Sequence, residues 1–283
     1  MNLQEATKHI TNSLQKIYSQ RESQNIAAIL MEHITTLSAT QRLITSTKDL
    51  TDTQTQTLEQ NIEELLLHKP IQQIVGYTWF AGNKFYVDEN VLIPRPETDE
   101  LVEHIVKQHL NQPISILDIG TGSGCIAVSL KHKLPSATVT AIDISDKALV
   151  IATKNASSIG VDVNFLQLDF LEENNWNQLP QFDVIVSNPP YIKEVEQAQM
   201  HNNVLLHEPH LALFVPNDNA LIFYEKIALF AKTHLKPNGS IWLEINEALG
   251  KETAAVFIDN GFSAEIILDM QGKERMIKVG YRV

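Results

Sequence analysis

From Ile114 onward, short apolar runs alternate with longer stretches whose apolar residues recur at helical spacing, and that alternation admits few architectures. Strands are expected at Ile114–Asp118, Thr138–Ile142, Val163–Leu168, Phe182–Ser187 and Ser240–Ile245, with a last pair around Ala264–Leu268 and Met276–Val279. Between them the spacing predicts helices from about Gly124 to Lys133, Asp146 to Ser157 and Leu221 to His234, and another after Glu247 that ends at Gly261. Strand–helix–strand units lay successive strands parallel with right-handed crossovers. The fold class is therefore α/β, a doubly wound, mostly parallel sheet of seven strands.

The chain before this region has a different composition. Residues 1–75 contain no glycine and one proline, Pro70, and carry Ile26, Ile29, Leu30 and Ile62, Leu65, Leu66 at helical spacing. A helical domain over 1–75 follows, with the Thr/Gln-rich stretch Thr45 to Gln56 expected as a loop between helices that carries Asp or Thr N-caps. Tyr77 to Phe80 and Lys84 to Val87 flank Gly82-Asn83, which predicts a β-hairpin connector over 76–90, with Trp79 and Phe80 in its core. The α/β domain is expected over 91–283. It opens on Val91-Leu92-Ile93-Pro94-Arg95-Pro96-Glu97, with Glu97, Asp99 and Glu100 suited to the positive end of a helix running to about Leu110.

Chemistry-bearing residues fall at strand ends. The first strand runs into Gly120-Thr121-Gly122-Ser123-Gly124, where glycines let a backbone approach a ligand at a helix N-terminus. Cys125 stands where a dinucleotide fingerprint needs glycine, and no Walker A lysine follows. The second strand ends in Asp143, a carboxylate able to accept ribose hydroxyls; the third ends in Asp169-Phe170, an acceptor for an adenine amino group beside a ring. Either acid alone reads more readily as a helix N-cap than as a ligand contact. The fourth strand ends in Ser187-Asn188-Pro189-Pro190-Tyr191. The prolines fix the backbone and present the Asn188 amide; its oxygen and the Pro189 carbonyl can grip both hydrogens of a planar NH2 group, with Tyr191 as a flat neighbour. Four such features at the carboxyl ends of four strands describe one crevice.

Asp118 to Gly124, Asp143 and Asn188-Pro189-Pro190-Tyr191 resemble the class I S-adenosylmethionine-dependent methyltransferases that act on a planar NH2 nitrogen. Pro70-Ile71-Gln72-Gln73-Ile74-Val75-Gly76, Phe80-Ala81-Gly82 and Val91 to Thr98 are similar, within that class, to the release factor glutamine methyltransferases (the HemK/PrmC family). The resemblance covers the chain from about Pro70 to its end. It departs at Pro216-Asn217-Asp218-Asn219-Ala220-Leu221, where the family carries glycines before the leucine.

The resemblance implies S-adenosylmethionine held by Gly120, Thr121, Gly122, Ser123, Gly124, Asp143 and Phe170, with Asn188 near its methyl group; Asp169 joins them from its place at the third strand end. It implies Asn188, Pro189, Pro190 and Tyr191 at the target glutamine, with Asn188, Pro189 and Tyr191 carrying the reaction. The implied substrate is the Gly-Gly-Gln glutamine of class 1 peptide release factors. Apart from the resemblance, Arg95 reads either as an ion-pair anchor for Glu97 or as a substrate contact, and Glu208 and Glu244 are candidates for the border of the crevice whose place the sequence alone does not fix.

Composition limits the alternatives. The formal net charge of −12 over 283 residues opposes nucleic acid as the main partner. The single cysteine, Cys125, suits a reducing compartment and reads as a packing residue, and the absence of a long apolar run speaks against a membrane. The chain reads as cytoplasmic. His201, His207 and His210 lack metal-site spacing and read as a solvated loop, with no metal expected. Two competing functions remain compatible with the same residues: an adenine-N6 methyltransferase acting on DNA or RNA, which shares the Asn-Pro-Pro-Tyr turn, and a non-catalytic adenosyl-binding scaffold.

Overall fold

The computed structural model describes residues 1–282. Five helices open the chain: α1 (Leu3–Leu14), α2 (Gln20–Thr35), α3 (Ala39–Ile44), α4 (Asp52–Leu66) and α5 (Ile71–Val75). The strands β1 (Tyr77–Phe80) and β2 (Asn83–Tyr86) follow, then α6 (Pro96–His109), β3 (Ser115–Ile119), α7 (Cys125–Lys133), β4 (Thr138–Asp143), α8 (Asp146–Ile159), β5 (Asn164–Gln167) and β6 (Phe182–Ser187). The remainder comprises β7 (Ile192–Lys193), α9 (Asn202–His207), β8 (Phe214–Val215), α10 (Ile222–His234), β9 (Leu235–Glu244), α11 (Gly250–Asp259), β10 (Phe262–Leu268) and β11 (Glu274–Tyr281). Contacts divide the chain into two compact units, one of Met1–Gly76 with His201–His207, the other of Tyr77–Met200 with the residues from Glu208 onward.

The first unit is helical because its sequence supplies stripes and caps. Ala6, Ile10 and Leu14 of α1, Leu30 and Met31 of α2, and Leu58 and Leu65 of α4 are completely buried. Asn2 with Glu5, Ser38 with Gln41 and Thr51 with Gln54 each form a capping box, satisfying backbone N–H groups that a helix start leaves unpaired. The last of these is the kind of Thr N-cap expected within Thr45 to Gln56, and it shortens the loop read there. Thr51-Asp52-Thr53-Gln54 is itself a helix start, so α4 begins inside that stretch. The segment His201–His207 joins this unit through Gln73 Nε2, which donates to the His207 carbonyl (2.8 Å), and His207 Nε2, which donates to the Leu67 carbonyl (2.9 Å). His207 is therefore a helix-end residue with a partner, not part of a solvated loop.

The second unit is built on a seven-stranded sheet of order β10-β11-β9-β6-β3-β4-β5. β3, β4, β5, β6 and β9 run parallel, and β11 pairs antiparallel with both β9 and β10. Successive residues of one strand feed opposite cores, as a period of two requires. Ile116, Val184 and Val186 pack with Leu101, Ile105 and Leu130 on one face, while Leu117, Ile119 and Ile185 pack with Ile227, Phe230 and Phe257 on the other. Both faces are covered, which explains why the strands read as continuous apolar runs. The chain leaves β3 toward β4 and β5 and returns to β6 on the other side of β3. That reversal opens a crevice at the carboxyl ends of β3 and β6.

The hairpin differs from expectation in two details. Its turn is Ala81-Gly82, both at positive φ (49° and 81°), rather than Gly82-Asn83. Two left-handed residues match the twist of a tight hairpin. Phe80 is buried and contacts Phe85 edge-on, but Trp79 is 67% exposed. In a strand the two residues must face opposite ways, and apolar character alone did not say which faced in. No helix among the described residues is long and apolar enough to cross a membrane.

Candidate active site

The crevice holds a cleft with about 1190 Å³ of empty space, open solvent at its mouth included. Its floor comes from strand ends. After β3, Gly120 and Thr121 donate backbone N–H groups to the Ile142 carbonyl of the neighbouring strand (2.9 and 3.0 Å), which pins the glycine-rich turn to β4. Gly120, Gly122 and Gly124 all have positive φ (71°, 54° and 78°). A Cβ added at Gly120 or Gly122 would meet nothing within 4 Å, whereas one at Gly124 would come within 3.0 Å of Ala152 Cβ. The glycines therefore divide by role. Gly120 and Gly122 line the cleft, and Gly124 does not: it lets α7 pack against α8.

Asp143 caps the loop from β4. Its Oδ2 accepts from Gly122 N (2.8 Å) and its Oδ1 from Ser145 N (2.9 Å), and burial pushes its carboxyl upward against those stabilising bonds. Each oxygen keeps a lone pair for a further donor. Behind the turn, the buried Asn155 donates to the Ser123 carbonyl (2.8 Å) and exchanges two hydrogen bonds with the Tyr86 backbone. The cleft wall is completed by Asp169, Phe170 and Leu171 after β5. Phe170 is 5% exposed, and its ring packs against Trp176 and Phe230, with ring centroids at 5.5 and 5.4 Å.

Beneath the glycine turn lies Asp118, wholly buried, with Thr121 Oγ1 donating to its Oδ2 (2.6 Å). Burial raises its carboxyl to about 7. A group that binds its proton more tightly folded than unfolded loses stability as pH rises between the two values. Stability should thus fall from about pH 4 to about pH 7 and then level off on this account. Urea unfolding at pH 5 and pH 8 should show wild type losing on the order of 2 kcal/mol more than Asp118→Asn over that interval. Equal losses in the two proteins would contradict the assignment.

At the end of β6, Asn188 and Pro190 line the cleft. Pro189 is buried, and neither Pro189 nor Tyr191 lines it. Instead of offering a flat face to the cleft, Tyr191 packs against the second core and donates its hydroxyl to Glu244 Oε1 (3.1 Å). Glu244 Oε2 accepts from Thr98 Oγ1 (2.6 Å), and Asn188 Nδ2 donates to that same Thr98 oxygen (3.1 Å). Burial raises the Glu244 carboxyl, opposed by the Thr98 and Tyr191 hydrogen bonds and by Arg275. Cys125, also on the wall, has its thiol pushed up to about 12 by burial, so it is a packing residue and no nucleophile.

Arg95 lines the cleft, and its ion-pair partner is Glu208, not Glu97: Nη2 lies 2.6 Å from Oε1. Glu208 Oε2 also accepts the Ile93 N–H (3.1 Å), and its side chain is 1% exposed. The run Pro216 to Leu221 holds its shape through side chains rather than glycines. Asn217 Oδ1 accepts from Val195 N, while Asn219 accepts from Leu221 N and donates to Glu225 at the head of α10. Thr98 and Asn155 are residues to which the sequence assigned no role, and Glu208 and Glu244, read from the sequence as candidate border residues, do not line the cleft but hold Arg95 and Thr98, which do. Thr98 stood inside the Ile-Pro-Arg-Pro-Glu-Thr run, and Glu244 was an acid closing an apolar strand; nothing local marked Asn155.

Residues 96–214 match the methyltransferase small domain, and residues 5–76 match the PrmC N-terminal domain. The release factor glutamine methyltransferase of Flavobacterium psychrophilum is 44% identical over 275 residues, covering 95% of this chain and 96% of its own. That of Bacteroides thetaiotaomicron is 40% identical, covering 96% and 97%. This chain belongs to the release factor glutamine methyltransferase family. Among solved structures, a methyltransferase from Pyrococcus furiosus superposes with a TM-score of 0.50 at 18% identity, covering 78% of this chain and 98% of its own. That likeness carries the class I methyltransferase fold, in agreement with the seven-stranded sheet.

Proposed function

We propose that the chain transfers a methyl group from S-adenosylmethionine to the side-chain amide nitrogen of a glutamine in class 1 peptide release factors, at the Gly-Gly-Gln motif, with Asn188 presenting the acceptor. Family membership supports the reaction, and one observation supports the residue: Asn188 lines the cleft with its NH2 tied to Thr98, which leaves its oxygen available.

The residues fit the cofactor that the family implies. The space over Gly120 and Gly122, which a Cβ would fill, suits a ligand lying against the backbone. Asp143 has lone pairs for two ribose hydroxyls, and Asp169 has an acceptor for an adenine amino group against the apolar wall of Leu168 and Phe170. When bound, S-adenosylmethionine supplies an electrophilic methyl group on a sulfonium sulfur. Asp143→Ala removes charge-assisted hydrogen bonds worth about 1.5–3 kcal/mol each. Cofactor affinity by calorimetry should fall roughly ten- to a hundredfold or more; an unchanged affinity would remove Asp143 from the site.

An amide nitrogen is a poor nucleophile because its lone pair is delocalised into the carbonyl. In this reading Asn188 Oδ1 accepts one N–H of the glutamine amide; Pro189, whose carbonyl the sequence offered as a second acceptor, is buried and does not line the cleft. The Asn188 oxygen raises electron density on nitrogen and aims it for in-line displacement. Asn188 would hold the nitrogen toward the methyl that bound S-adenosylmethionine would supply, and the N–H proton, acidic only once the nitrogen is methylated, would pass to solvent water at the open mouth of the cleft. No general base is required beforehand. Orientation and preorganised dipoles carry the rate.

The helical unit is in this reading the part that meets the body of the release factor, since the cleft itself can grip only the target side chain. Incubation with methyl-labelled S-adenosylmethionine and, separately, intact release factor, a short Gly-Gly-Gln peptide and duplex DNA tests the whole proposal. Label should enter intact release factor faster than the peptide and should not enter DNA. Label in DNA alone would favour the adenine reading, and label in none would favour the scaffold.

A further inference from the structure

An ionised carboxylate can only accept hydrogen bonds, and a hydroxyl has a single proton to give. Glu244 is 2% exposed at the end of β9, and both its oxygens are occupied by hydroxyls, Tyr191 at Oε1 and Thr98 at Oε2. Thr98 therefore spends its proton on Glu244, and the atom left to meet Asn188 is an acceptor. Only the NH2 end of the Asn188 amide can face it, which agrees with the 3.1 Å contact from Nδ2. Without that anchor an amide turns end for end at little cost in shape, because its oxygen and nitrogen are nearly the same size. Turned, it would set an NH2 donor against the NH2 of the acceptor.

We propose that Thr98 and Glu244 are positioning residues: the chain Glu244–Thr98–Asn188 fixes which end of the Asn188 amide faces the cleft. This rests on the glutamine reading of the same site. It explains why an acid is kept buried with neutral hydroxyl partners, a costly arrangement that an apolar residue could replace were its only task to pack α6 on the sheet. The charged and titratable groups around Glu244 are Glu97 from α6, Cys125 from α7, Tyr191 after β6, and Arg275 from β11, with Tyr224 donating to its main-chain carbonyl (3.1 Å).

Thr98→Val keeps the shape and removes the hydroxyl, and Thr98→Ser keeps the hydroxyl. With saturating cofactor, T98V should lower kcat about tenfold, the scale of one lost hydrogen bond, and leave calorimetric cofactor affinity within about twofold. T98S should stay within about threefold of wild type. In an Asn188→Ala background T98V should add less than about twofold, because residues acting through one another do not add.

An independent readout uses the apo protein labelled with 15N-asparagine, where the Asn188 side-chain signals are assigned by their loss in N188A. They should be unchanged in T98S, and shifted and faster to exchange with solvent in T98V. An equal loss of kcat in both backgrounds, a T98S as impaired as T98V, or Asn188 signals unmoved by T98V would overturn the proposal. Failure of the wild type to label release factor at all would instead fall on the choice of acceptor, which the NMR measurement does not depend on.

Discussion

Replacing Asn188 with alanine is expected to lower turnover roughly 10²–10³-fold, the loss typical of one preorganised polar group aimed at a reacting centre, while changing cofactor affinity by less than about threefold. The expectation comes from what surrounds the residue. Its amide nitrogen is committed to Thr98, and the adjacent prolines hold its backbone, so the oxygen is presented without further ordering. The cofactor side of the cleft is built from other residues, Gly120, Gly122, Asp143 and Asp169 among them. Calorimetry and single-turnover labelling on the same preparation separate the two effects. Lost cofactor binding with unchanged turnover per bound enzyme would move Asn188 from the acceptor to the cofactor.

Arg95→Ala is expected to cost about 2–4 kcal/mol of stability, below the full 3–5 typical of a broken buried pair because the Arg95 side chain is 34% exposed and water can enter in its place. The cost falls on Glu208, whose carboxylate would keep the Ile93 N–H as its partner among the described residues. Urea unfolding measures it. Adding Glu208→Gln to Arg95→Ala should recover part of the loss, since a neutral amide can still accept from Ile93 and leaves no buried charge. A double variant no more stable than the single would show that Arg95 acts through something other than its ion pair. Because Leu92 and Pro94 line the cleft beside Arg95, the single variant should also loosen that wall and weaken cofactor binding.

The parts of this fold that were legible in the sequence are those encoded by local period and local turn chemistry. Continuous apolar runs such as Val184 to Val186 announce strands buried on both faces, and the structure places their alternate residues in two different cores. The glycine-rich turn and the Asn188 turn were equally readable, since each is a property of consecutive residues. What was not legible is long-range pairing. Thr98 and Glu244 are 146 residues apart, and Ile93 and Glu208 are 115 apart, so no spacing rule links them. An acid at the end of a strand or before a proline looks like any solvated acid until its partner is known. The same limit explains Tyr191, whose hydroxyl is claimed by Glu244 and whose ring is claimed by the core. Gly124 looked like its two neighbours in the turn, and only the approach of Ala152 separates its role from theirs.

The central claim is that Asn188 presents the amide of a release factor glutamine to the methyl donor. It is tested most directly by tandem mass spectrometry of a release factor incubated with S-adenosylmethionine and either wild type or Asn188→Ala at matched cofactor occupancy. Wild type should add one methyl group, located on the side-chain amide nitrogen of the Gly-Gly-Gln glutamine, and N188A should leave that glutamine essentially unmodified over the same time. A methyl group on another side chain, or the same glutamine modified equally fast by N188A, would contradict the account.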